Sequence, residues 1–102
     1  MKIPADLQLN IEVEAGDSSA TLRAKAQSQV QNAIRAIGEV AGEKAWQQLE
    51  RTFGRPPGNK YNFVRESGEQ AITNASAEER REVEEEIFER LKKQRAEKAA
   101  AM

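Results

Sequence analysis

The chain has 102 residues, room for one domain with a modest core. It holds neither cysteine nor histidine, which removes disulfides, thiolate chemistry, the commonest general base and the usual zinc sites. A net charge of −1 gives no long-range pull toward nucleic acid or an anionic membrane, so nucleic acid and membrane are not expected partners.

Hydrophobic residues make up 38% and charged residues 32% of the chain, which implies a small core under a heavily charged surface. The first residues carry one lysine and no apolar run. They do not resemble a secretory signal, and a cytoplasmic origin in a bacterial host is the expectation.

In chain order, residues 5–14 alternate. Leu7, Leu9, Ile11 and Val13 fall on one side; Gln8, Asn10, Glu12 and Glu14 fall on the other. Period two predicts a strand with one buried face, and Pro4 suits its start or an edge position. Residues 18–53 follow with helical spacing: Leu22, Ala26, Val30, Ala33, Ile37, Ala41, Ala45, Leu49 and Phe53 recur every three or four residues. Ile34, Val40 and Trp46 widen that face. Asp17, Ser18 or Ser19 can cap the start, while Gly54 and Pro56-Pro57 stop the helix. At about 1.5 Å per residue it should be roughly 50 Å long.

Gly38 and Gly42 sit inside this helix, each at a cost of about 1 kcal/mol relative to alanine. Beside Ile34 and Ala45 they form a small-residue notch. Such a notch admits a bend or another element of the same chain; it also admits a second subunit.

Residues 54–60 form a proline–glycine loop. Residues 61–66 suit a second strand, Ser67-Gly68 a turn, and residues 69–74 a third short strand or the lead-in to the last helix. Tyr61 and Phe63 are expected to cover Trp46 and Phe53; base stacking is the functional alternative, without the basic surround that it needs. Residues 76–98 read as a helix opened by the capping box Ser76-Ala-Glu-Glu79. Its acidic start and its basic end, Lys92, Lys93, Arg95 and Lys98, match the helix dipole. Val83, Ile87, Phe88 and Leu91 form a narrow apolar stripe that stops at Leu91.

The sequence shows no phosphate-binding glycine loop, no metal-ligand spacing and no repeat. Glu84, Glu85 and Glu86 form the acidic cluster, read as a solvated helix face beside arginines, where nothing raises a carboxyl pKa. No catalytic residue, cofactor, metal or small-molecule substrate is assigned, and an enzyme ranks last.

The expected fold is α+β and helix-dominated, in one domain over 1–102, with 92–102 projecting as a helical tail. The order of elements resembles small tail-completion and head–tail neck proteins of tailed bacteriophages. Residues 7–14, 33–45, the loop 54–58 and the charged final helix carry that resemblance. It covers most of the chain as a layout, without a diagnostic motif, in a chain shorter than such proteins usually are. It implies a non-enzymatic virion component that self-associates in a ring and contacts neck or tail proteins. A small acidic regulatory binder (an antitoxin, an immunity protein or a phage-encoded inhibitor of a host defence system) is the alternative. Self-association is expected through the strand edge with Leu7, Leu9, Ile11 and Val13, through the Gly38–Gly42 notch, and through the final helix with Lys92 and Arg95. Such an edge is open to another copy, and the last turns have little of their own to bury.

Overall fold

The computed structural model describes residues 2–102. It contains three helices: α1 over Ser19–Phe53, α2 over Lys60–Asn74 and α3 over Ala77–Ala101. Among the described residues there is no strand, so the α+β expectation is overturned and the fold is all-helical.

The long helix begins and ends where its sequence signals lie. The Ser18 hydroxyl accepts the Thr21 backbone N–H at 3.1 Å, and Gly54, at φ +78°, donates its N–H to the Glu50 carbonyl. Gly54 takes a positive φ that a residue with a Cβ resists. Helix α3 opens on the expected capping box, with Ser76 and Glu79 each bonding the other's backbone N–H. Buried residues in α1 follow helical spacing, at Leu22, Ala26, Gln29, Ala33, Ile34, Gly38, Gly42 and Trp46, so one stripe of α1 faces the rest of the chain.

Helices α2 and α3 lie along α1 in series, not along each other. Both run antiparallel to it. Helix α2 covers the C-terminal half of α1, where Phe63 meets Trp46 with ring centroids 5.4 Å apart. Helix α3 covers the N-terminal half, where Arg23 reaches Glu84, Glu85 and the Phe88 ring. The break between them falls at Ala75, whose backbone is extended, and Arg80 braces it by donating to the Ile72 carbonyl. The result is long and thin, 53 × 30 × 17 Å.

Three segments expected as strands or a turn are something else. Residues 61–66 and 69–74 belong to α2, which Asn59 starts by accepting the Tyr61 and Asn62 N–H groups. Ser67-Gly68 is no turn: Gly68 is buried in mid-helix against Arg35 and Glu39 of α1. Residues 5–14 form no strand: a turn at Ala5-Asp6 is closed by the Leu7 N–H to the Pro4 carbonyl, and the Ile11 N–H donates back to the Leu9 carbonyl around a bend at Asn10. A strand needs a neighbouring ladder for its carbonyls, and here long cationic side chains serve instead. Arg90 donates to the Leu7 and Pro4 carbonyls at 3.0 and 3.2 Å, and Lys25 to the Glu12 carbonyl at 2.7 Å. The alternating apolar face is nevertheless turned inward. Val13 is buried, and Leu7, Leu9 and Ile11 pack half-buried on a core that includes Leu22, Ile34, Val83, Ile87 and Leu91. Ile3, outside the expected core, is buried too, and its N–H donates to Glu86.

Phe53 departs from expectation in the other direction: it is 72% exposed. Helix α2 begins beside Glu43, through the Lys60–Glu43 ion pair at 2.6 Å, so the last turns of α1 extend past it and Phe53 has nothing to lie on.

Candidate interaction surface

The N-terminal segment, α1 and α2 enclose an open groove of about 360 Å³. Its floor is Ala36, Glu39, Val40 and Glu43 of α1, at helical spacing on one face. One wall is Pro4, Asp6, Leu7 and Gln8; the other is Val64 of α2. The segment can form a wall because Arg90 pins it at two carbonyls. Val40 remains 42% exposed, and so offers apolar surface within the groove. The ionisable residues lining this groove, Asp6, Glu39 and Glu43, are all acidic. A groove that sets Ala36, Val40 and Val64 beside Asp6, Glu39 and Glu43 suits a basic amphipathic helix.

A second groove of about 550 Å³ adjoins it on the other side of Val64, lined by Glu39, Glu43, Lys60, Tyr61 and Arg65. The Glu43 carboxylate accepts from Lys60 and holds its ammonium above the ordinary lysine value. Among the described residues no cluster of three acidic side chains could hold a metal ion. The Glu84–Glu86 run is occupied structurally: Glu84 and Glu85 take Arg23, and Glu86 takes the Ile3 N–H. No helix among the described residues is long and apolar enough to cross a membrane.

The residues expected to mediate contacts are spread over the molecule. Gly38 and Gly42 face α2 of the same chain: a Cβ at Gly38 would lie 2.5 Å from the Ala71 Cβ, and one at Gly42 would lie 2.6 Å from the Ser67 Cβ. Leu7, Leu9, Ile11 and Val13 turn toward the core, with Leu7 also at the groove wall. Lys92 pairs with Glu89 at 2.9 Å and sits over the Phe88 ring. Arg95 donates to the Asp17 carbonyl at 2.9 Å. Beyond it, residues 96–102 are exposed throughout.

The groove itself was not foreseen. Val40 stood out only as a widening of the α1 apolar face, and Asp6, Ala36 and Val64 gave no signal, because the groove exists only once residues 4–8 are pinned as a wall. Comparison with protein-family models, with curated proteins and with solved structures finds no match for the chain.

Proposed function

We propose that the protein is a non-enzymatic assembly component that binds other copies of itself head to tail, with the end of α3 of one copy seated in the acidic groove of the next. The observation that supports this is charge complementarity. Residues 92–102 carry Lys92, Lys93, Arg95 and Lys98 against Glu97 alone, and the ionisable residues lining the groove are acidic, Asp6 and Glu39 together with the Lys60-paired Glu43. Lys93 and Lys98 form no ion pair within the described residues. Ala96, Ala99 and Ala100 let the backbone come close to Val40 and Val64. A copy cannot fill its own groove. Arg95 is anchored at Asp17, and Val40 lies 23 residues further on, about 35 Å at 1.5 Å per residue. A contact between two different surfaces propagates into a ring or a filament. Tail-completion and neck proteins of bacteriophages act in rings, and that remains the proposed setting. The likeness in layout now rests on the helices and the loop, since the strands are absent.

The test is Val40→Arg, which places a positive charge on the groove floor at an exposed position. Native mass spectrometry or light scattering should show a multimer for the unaltered protein and a monomer for the variant, with thermal unfolding unchanged. Removing residues 96–102 should give the same result. A monomer at high concentration for the unaltered chain overturns the reading. One feature favours the alternative of a one-to-one regulatory binder: the glycine notch and the apolar side of residues 7–13 are covered within one chain, so a single copy closes its own core. A one-to-one complex with another protein, formed by a monomer, would decide for it.

A further inference from the structure

The tip of the molecule, where α1 turns into α2, is chemically unlike the rest. Residues 44–65 carry five basic side chains, Lys44, Arg51, Arg55, Lys60 and Arg65, against one acidic, Glu50. The remaining residues are therefore net acidic, and a total near zero conceals a strongly polarised molecule. Among the described residues Lys60 pairs with Glu43, whereas Lys44, Arg51, Arg55 and Arg65 form no ion pair. Phe53 and Tyr61 stand at this same end, 72% and 73% exposed. Phe63 is turned inward onto Trp46, so these two are the exposed rings of the tip.

Exposed rings beside unpaired cations supply the two components of a single-strand binding surface, a stacking face and a phosphate-holding charge. We infer that the tip binds single-stranded nucleic acid, with bases stacked on Phe53 and Tyr61 and phosphates held by Arg51, Arg55, Lys60 and Arg65. The ring faces supply sequence-tolerant stacking, and the cations track the backbone. Lys60 and Arg65 flank Tyr61 along a shared groove, so a phosphate on either side of a stacked base meets a cation. Glu39 and Glu43 close the far side of that groove and direct the strand outward over the loop. An anionic membrane fits less well: two rings on a narrow tip offer little apolar area to insert, and Trp46 is buried. This site adjoins the groove proposed for self-association and shares Glu39, Glu43 and Val64 with it, but Phe53, Arg51, Arg55 and Arg65 lie outside that groove, so substitutions there test nucleic-acid binding alone.

Fluorescence anisotropy of the full chain with a labelled oligothymidylate of about 15 nucleotides provides the test. With about four phosphate contacts, raising salt from about 50 to 200 mM should weaken binding roughly fifty-fold. Phe53→Ala and Tyr61→Ala should each weaken it roughly ten-fold with no change in thermal unfolding, since both rings are exposed. Tyr61→Phe should retain binding, and Arg51→Glu with Arg55→Glu should abolish it. Three results would overturn the inference: no binding at low salt; duplex of equal length binding as well, with no loss on ring removal; or binding to phosphatidylserine vesicles but not to the oligonucleotide.

Discussion

Asp17 concentrates three connections in one residue. Its carboxylate accepts the Lys25 ammonium at 2.7 Å and the Glu14 N–H at 3.0 Å, while its carbonyl accepts Arg95. The Lys25 bond, followed by the Glu14 bond, holds the Asp17 carboxyl below its ordinary value of 3.8. A depressed native pKa means that the unfolded chain binds the proton more readily. The stabilisation is therefore complete above the ordinary carboxylate range and is lost as pH falls through the native value. Urea unfolding of Asp17→Asn should show a shallower loss of stability between neutral and acid pH than the unaltered protein. An equal slope for both would mean that other carboxylates carry the acid sensitivity.

Between elements, the closest approach is α1 on α2, where Gly38 lies against Gly68, Ser67 and Ala71. Gly38→Ala should gain about 1 kcal/mol in helix propensity, yet the new methyl would sit 2.6 Å from the Ser67 carbonyl oxygen. Backbone cannot rotate aside, so the helices must separate at a cost of about 1–3 kcal/mol. Chemical denaturation should show net destabilisation, with Gly16→Ala, which meets nothing within 4 Å, as the neutral control. The boundaries of α1 and α3 were legible because their signals are local: a cap at Ser18, a glycine at Gly54, a capping box at Ser76. Helix α2 was not legible. Gly68 looked like a turn because glycine weakens an isolated helix, and only the closeness of α1 explains it: a Cβ there would meet Arg35 and Glu39. Residues 7–13 showed their buried face correctly but not their conformation. Alternation reports which side chains turn inward, while a strand also needs a partner, and the partner here is a set of arginine and lysine side chains contributed from far away in sequence. The groove depends on that same pinned segment, so it was hidden for the same reason.

At the scale of the whole molecule, series packing leaves α1 as the single element that both other helices touch, and the 53 Å long axis is close to the length of α1 itself. Charge alternates along that axis, basic at the α1–α2 tip, acidic between, and basic again in residues 92–102 at the far end. Contacts to α3 are long-range, those of the N-terminal segment most of all. Its hydrogen bonds to α3, from Ile3 to Glu86 and from Arg90 to Leu7 and Pro4, span 83 to 86 residues of chain. Arg90→Met should remove roughly 1.5–3 kcal/mol of charge-assisted bonding per lost bond. Hydrogen exchange at the Ile3 and Leu7 amides should then quicken well before the helices loosen. The same arrangement has a consequence for synthesis. The α1–α2 contacts close a short loop and can form as the chain leaves the ribosome, but α1–α3 contacts such as Arg23 to Glu84, 61 residues apart, and the bonds from Arg90 to Leu7 and Pro4 must wait until α3 has emerged. Until α3 is made, the apolar side of residues 7–13 has only α1 to lie on, and a nascent chain stalled before Arg90 should be held by chaperones that release a chain extended past α3.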